Sequence, residues 1–191
     1  MGDSTTAGTP GFQSPIESPP EGRGDVTSQY AWWLMHAHPE WEVLNRGVNG
    51  ERSDEIRSRF ERDVIAEAPA AVILIAGVND VYQGLPAAHA IGQLRWMHER
   101  ALRVGIRVIA GTIVPYNTAT PEQNAGMHDI NAWLRQQARV PELALADTRA
   151  AVAAPGNPDM LSDSPDGLHP SRAGYRAMAE SIRPVLEQIL R

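Results

Sequence analysis

The chain contains no cysteine, which removes disulfides, thiolate nucleophiles, iron–sulfur clusters and cysteine-ligated zinc from the chemistries open to it. It contains no lysine either, so all 17 basic residues are arginines. No Schiff-base lysine, P-loop lysine or Ser–Lys dyad can exist, and ordinary pyridoxal-phosphate catalysis is excluded. Positive charge is in the minority, giving a formal net charge of −6. Phosphate backbones are bound by basic faces, so no nucleic-acid partner is expected. No run approaches the roughly 18 consecutive apolar residues of a membrane-spanning helix. The first residues, Met1-Gly2-Asp3-Ser4, lack the basic and apolar regions of a secretory leader, which makes the cytoplasm the expected compartment.

What is present fits one globular domain spanning residues 1–191, with 42% hydrophobic and 21% charged residues. Thr9 to Asp25, rich in Pro, Gly, Ser and Glu, has no apolar period and reads as a surface loop near the active site. Its Arg23-Gly24-Asp25 triplet reads as a chance match to an adhesion motif. Strand-like and helix-like stretches then alternate. Tyr30–His36 reads as a short helix and Trp41–Asn45 as a strand. Arg52–Glu67 reads as a helix, with Ile56, Phe60 and Val64 on one face. Ala71–Ala76 is a continuous apolar run, the pattern of a strand buried on both faces. Pro86 opens a helix that Gly105 ends, and Ile106–Thr112 is the next buried strand. Thr120, Pro121 and Gln123 form a capping box for a helix bearing Met127, Ile130 and Leu134. Leu143–Asp147 reads as the last strand. The final helix starts near Ser171, presents Tyr175, Met178, Ile182 and Ile189 on one side, and should kink at Pro184. This alternation predicts an α/β fold with three α/β/α layers, a flavodoxin-like parallel sheet covered by helices on both faces. Ligands of such sheets bind beyond the carboxyl ends of the strands.

Four segments fall at or near those ends: Gly2-Asp3-Ser4-Thr5, Asn45-Arg46-Gly47-Val48-Asn49-Gly50, Gly77-Val78-Asn79-Asp80 and Asp166-Gly167-Leu168-His169-Pro170. A serine there exposes its hydroxyl at the crevice floor, and a glycine brings a backbone N–H close to a ligand without a Cβ in the way. An asparagine aims an amide into the crevice. A carboxylate three residues before a histidine can fold back onto the imidazole and fix its tautomer; Asp163 is a second candidate for that acid. Together the segments supply a nucleophile, a base with its orienting acid, and oxyanion donors, the set that ester hydrolysis by acyl transfer requires.

These blocks, in order and spacing, resemble those of the SGNH (GDSL-type) hydrolases, over nearly the whole chain. No GxSxG elbow is present, against an α/β-hydrolase fold. The resemblance implies Ser4 as nucleophile, His169 as base and Asp166 as its partner. It implies the Ser4 and Gly50 backbone N–H groups and the Asn79 side chain as oxyanion donors. The implied activity is serine-dependent hydrolysis of carboxylic esters, small or short-chain acyl groups favoured, through an acyl-enzyme, with no cofactor and no metal. In this family a buried apolar strand precedes the Gly-Asp-Ser block, and here only Met1 does. The sequence therefore allows a trimmed or miscalled start, a strand lent by a second copy in a homo-oligomer, or a rearranged sheet. It also leaves open a catalytically impaired binding or structural protein, and carbohydrate deacetylase or lysophospholipase as the specific activity.

Tyr116, in the Thr112–Asn117 stretch after a strand, is a candidate wall of the substrate pocket. His36 and His38 form an HxH pair that some metal sites use, although no HExxH or acidic cluster accompanies it. His98 falls on an apolar helix face and reads as a core histidine with its hydrogen bonds satisfied; His89 and His128 read as solvated. Trp32, Trp33, Trp96 and Trp133 read as packing residues.

Overall fold

A computed structural model describes residues 1–138 and 143–191. Its elements run α1 (Ser4–Ala7), a small hairpin of β1 (Phe12–Gln13) and β2 (Arg23–Gly24), a 3₁₀ turn (Val26–Ser28), α2 (Tyr30–Ala37) and α3 (Ser53–Ser58). A π-helical turn (Glu61–Ile65) precedes β3 (Ala71–Leu74), α4 (Val78–Tyr82), α5 (Ala87–Arg103), β4 (Arg107–Gly111) and α6 (Pro121–Gln137). The chain closes with β5 (Leu143–Ala146), α7 (Thr148–Val152), a hairpin of β6 (Ala153–Ala154) and β7 (Asn157–Leu161), and α8 (Arg172–Ile189).

The central sheet is parallel in the order β3-β4-β5. Beyond β3 it continues only as single-residue parallel bridges, from Ile75 to Gly2 and from Gly2 to Gly47. The spatial order is thus the Gly47 segment, Met1–Gly2, β3, β4, β5, which is doubly wound with its switch point between Met1–Gly2 and β3. Side chains alternate across the strands as the pleat demands. Val72, Leu74, Val108 and Ala110 enter one core with Ile56, Phe60, Leu94, Met97, Met127 and Ile130. Ile75 and Ile109 enter the other, with Tyr30, Leu34, Tyr175, Met178, Ile182 and Leu186. Helices therefore cover both faces, as the continuous apolar strands require.

Several expectations hold in detail. Thr120 accepts from Gln123 N–H at 3.2 Å while the Gln123 side chain accepts from Thr120 N–H at 2.9 Å, the reciprocal capping box. Gly105 takes φ +80° just past α5. Others need correction. Trp41–Asn45 is not a strand: among the described residues its backbone enters no ladder, and the segment meets the sheet only beyond it, at the single bridge from Gly47 to Gly2. Arg52–Glu67 is not one helix: α3 stops at Ser58, Arg59 turns inward, and the chain re-forms as the π turn. The last helix runs on through Pro184 to Ile189. The Thr9–Asp25 stretch is less superficial than its composition suggests. Phe12 and Ser14 are buried, and the Ser14 hydroxyl donates to Gly47 O.

Candidate active site

Register places the polar blocks. Gly2 lies level with both Gly47 and Ile75, so Ser4, Gly50 and Asn79 follow within two to four residues on three neighbouring parallel segments, all at the carboxyl end and at the switch point. The alignment is tightly held. Met1 N donates to Ile73 O at 3.0 Å, Ile75 N to Met1 O at 3.3 Å, and Val48 N to Gly2 O at 3.1 Å. Arg59, buried, donates to Gly2 O at 3.0 Å and to Arg46 O at 3.0 Å, and ion-pairs with Asp63 at 2.8 Å and Glu51 at 2.7 Å. Gly2 and Gly47 have no room for a side chain. A Cβ on Gly2 would collide with Ile75 O and Thr6, and one on Gly47 with the backbone of Thr6 and Ala7.

Asp3 caps α1, its carboxylate accepting from Thr5 N–H at 2.9 Å, and this turn fixes the nearly buried Ser4. Ser4 Oγ lies 2.9 Å from His169 Nε2, and His169 Nδ1 lies 2.7 Å from Asp166 Oδ2. The three side chains form one hydrogen-bonded chain spanning nearly the whole sequence. The remaining Asp166 oxygen accepts from Leu168 N–H at 2.9 Å and His169 N–H at 2.8 Å, so the loop folds back on itself around Gly167 at φ +75°. Partial burial raises the Asp166 carboxyl. The His169 ring and the two backbone donors outweigh that and hold it below the usual carboxylate range. Asp163 is not the ring's partner; its backbone carbonyl accepts from Ser171 N–H at 3.1 Å. Even with a single residue ahead of Gly2, Ser4 is in hydrogen-bond contact with the imidazole.

Among the described residues, the Ser4 and Gly50 backbone N–H groups make no hydrogen bond. Ser4 is the first residue of a helix, where no intrahelical acceptor exists, and Gly50 is at φ +78° in a turn with open space on its side-chain position. Asn79 uses one amide hydrogen on Glu51 O at 2.9 Å, which ties α4 to the Gly50 turn and leaves the second hydrogen free. Three unspent donors thus face the same end of the sheet.

Supporting residues escaped the sequence reading. Ser164 donates to His169 O at 2.6 Å and accepts from Gly167 N–H at 2.8 Å, bracing the loop. Ser53 donates to buried Asp80 from both its N–H, 2.9 Å, and its hydroxyl, 2.6 Å. The Ser-x-Asp spacing at 164–166 was the one available signal; Arg59 gave none, since its i, i+4 carboxylate looks like any solvated helix pair.

Tyr116 is corrected: its ring is buried edge-to-face against Tyr82 at 5.5 Å, and its hydroxyl, without a partner, is pushed up to about 12 by burial and then by Tyr82. It belongs to the core, while Tyr82 is the exposed member of the pair. His98 is buried against Trp133 with neither ring nitrogen bonded, so it is not the satisfied core histidine expected; desolvation lowers it to about 4 and keeps it neutral. His128 is not merely solvated but pairs with Asp159 at 2.7 Å, and His89 is half-buried. His38 spends both ring nitrogens on Glu40, 2.8 Å, and Glu187, 2.9 Å, while His36 stacks on Trp32. Asp54, Asp80 and His89 bring ligand-type atoms within 4.8 Å of one another, but Asp80 is committed to Ser53 and Asp54 to Arg52. Among the described residues no helix is long and apolar enough to cross a membrane.

The fold recurs in known proteins. The chain is 26% identical over 187 residues to an acetylxylan esterase of Geobacillus stearothermophilus, covering 85% of this chain and 84% of that protein. A lipolytic protein of the G-D-S-L family from Desulfitobacterium hafniense superposes with a TM-score of 0.78 at 25% identity, over 97% of this chain and 96% of the other. An acetylxylan esterase structure from Geobacillus stearothermophilus gives 0.72 at 24% identity, over 98% and 91%. The model of the GDSL-like lipase/acylhydrolase family matches residues 1–177, and with its strand-end blocks set at one switch point the chain belongs to that family of ester hydrolases.

Proposed function

We propose that the protein hydrolyses small acyl esters through a Ser4 acyl-enzyme. The observation that carries this reading is the unbroken Asp166–His169–Ser4 chain of hydrogen bonds. A serine hydroxyl is too weak an acid to attack unaided. As its oxygen bonds to the ester carbonyl carbon, His169 Nε2 takes its proton, and Asp166 steadies the imidazolium through Nδ1. The carbonyl oxygen becomes an oxyanion and is met by the Ser4 and Gly50 N–H groups and the free hydrogen of Asn79. The carbon–oxygen bond to the alcohol then breaks, and the alcohol leaves with the proton from His169. A water deprotonated by the same ring attacks the acyl-enzyme, releasing the acid and restoring Ser4.

For the specific substrate we favour acetyl esters on carbohydrate, supported by the relation to an acetylxylan esterase across most of both chains. The test is hydrolysis of p-nitrophenyl acetate, butyrate and octanoate beside acetylated xylo-oligosaccharides. Ser4→Ala should lose roughly 10⁴-fold or more in kcat, and a fluorophosphonate should label the native chain at Ser4 alone. Unchanged turnover in Ser4→Ala overturns the mechanism. A preference for octanoate with no deacetylation overturns the substrate while leaving the mechanism intact.

A further inference from the structure

The turn that carries the Gly50 N–H is weakly closed from within. Glu51 N–H reaches back to Val48 O at a long 3.5 Å, and Gly50 has no side chain to pack, with open space where a Cβ would sit. Gly50 is at φ +78° and Asn49 is not at positive φ, so Val48–Glu51 has the backbone of a type II turn, whose central peptide bears the Gly50 N–H. Asn79 and Arg59 restrain only Glu51, through its carbonyl and its carboxylate. Among the described residues, the side chains that bond to Asn49 and Gly50 themselves are Glu17 and Gln83.

Local structure delivers both side chains. Ser14-Pro15-Ile16-Glu17 forms a capping box: Glu17 Oε2 accepts from Ser14 N–H at 3.2 Å, while Glu17 N–H donates to the Ser14 hydroxyl oxygen at 3.4 Å. The box occupies one carboxylate oxygen. The other, Oε1, accepts from Asn49 N–H at 2.9 Å, and the Ser14 hydroxyl donates to Gly47 O, so the Thr9–Asp25 loop holds the block on both sides of Val48. Gln83 follows Asn79 by one helical turn, its N–H donating to Asn79 O at 2.9 Å, which sets the two side chains on one face of α4. The Gln83 amide donates to Gly50 O at 3.1 Å and accepts from Arg52 at 3.1 Å. The peptide units on either side of the one bearing the Gly50 N–H are therefore each pinned, and that N–H is left unspent.

We propose that Glu17 and Gln83 are positioning residues for the oxyanion pocket: by fixing the flanking peptides they aim the Gly50 N–H at the point where the ester oxygen gains charge. The inference rests on the Ser4 acyl-enzyme reading, in which Gly50 is a donor. Neither side chain touches substrate in this role. Their loss should leave ground-state binding as it is and weaken an interaction realised only in the transition state. A displaced donor still donates, so each loss should be smaller than the roughly 10²–10³ that follows removal of a donor outright.

The test compares Glu17→Ala, Gln83→Met and the double variant with the native chain and Ser4→Ala on p-nitrophenyl acetate, with melting curves alongside. Each single variant should lower kcat and kcat/KM together by about tenfold at unchanged KM. The Ki of 1,1,1-trifluoroacetone, whose carbonyl carbon Ser4 Oγ attacks as its proton passes to His169, should rise by a similar factor, because its oxygen becomes an oxyanion in the same pocket. The double variant should lose no more than about 10³-fold, the ceiling set by a single donor. Glu21→Ala, which removes an exposed carboxylate of the same loop, should turn over as the native chain does. Native kcat in either single variant, a rise in KM alone, or a double loss beyond that ceiling overturns the positioning role. Should Glu17→Ala not fold, Gln83→Met decides by itself, since Gln83 is exposed. Undiminished turnover in Ser4→Ala overturns the acyl-enzyme reading instead, whereas an inactive Ser4→Ala beside native Glu17→Ala and Gln83→Met overturns this inference alone.

Discussion

Replacing Asp3 by Asn should make the protein's stability much less sensitive to pH between 4 and 8. Asp3 is fully buried; one carboxylate oxygen accepts from Thr5 N–H and the other has no partner. Burial pushes its carboxyl up from 3.8 to about 6, with the Thr5 backbone bond and His169 pulling the other way and Asp80 adding to the rise. Below the unfolded value the carboxyl is protonated in both states and costs nothing. As pH rises toward about 6 the unfolded chain releases a proton that the folded chain retains, so stability falls. Above about 6 the loss is complete. A shift of about two pH units, at about 1.4 kcal/mol each, makes this penalty about 3 kcal/mol at neutral pH. Asn caps helices as well as Asp and keeps the acceptor for Thr5, but it cannot ionise. Its amide group inherits the unpartnered position at a fixed cost of about 1–3 kcal/mol, which does not vary with pH. Urea unfolding of both proteins at intervals from pH 4 to 8 therefore separates the two effects. The stability of Asp3→Asn relative to the native chain should climb by about 3 kcal/mol across the range, whatever its value at pH 4. A difference that stays flat would refute the idea that a strained carboxylate underlies the nucleophile turn.

Four further substitutions have expected outcomes. Asn79→Ala should lower kcat by roughly 10²–10³ with little change in KM; an effect on KM alone would make Asn79 a substrate contact. Gly47→Ala should cost more than about 3 kcal/mol or prevent folding, because its Cβ meets backbone that cannot move. Gly50→Ala, with open space but φ +78°, should cost only about 1–2 kcal/mol, and equal losses in urea unfolding would contradict the packing described. Arg59→Met should cost about 2–4 kcal/mol by leaving Gly2 O and Arg46 O without their donor and Asp63 to Arg62 alone, against about 0–1 for breaking the exposed Arg176–Glu180 pair.

The sequence exposed what depends on local chemistry. The apolar runs at 71–76 and 106–112, the capping box at Thr120 and the Asp166–His169 spacing each encode their geometry within a few residues. What failed depended on distant partners. Trp41–Asn45 has strand composition but no ladder to join, and Arg59 is buried only because Met1–Gly2 and the Arg46 turn converge on it. His98 looked satisfied because its helix face was apolar; whether any acceptor waited there was a question about Trp133, far along the chain. The β6–β7 hairpin was missed although its signal was present: Pro155-Gly156 joins Ala154 to Asn157, with Gly156 at φ +76°, the residues a type II turn needs.

The Met1–Gly2 segment is where one structural detail meets the bench. Because Ser4 follows Gly2 by two residues and Gly2 is bridged to both Ile75 and Gly47, any change made at Met1–Gly2 is passed straight to the Ser4 hydroxyl. Arg191 is exposed and belongs to none of these contacts, so an affinity tag attached there leaves the nucleophile turn undisturbed.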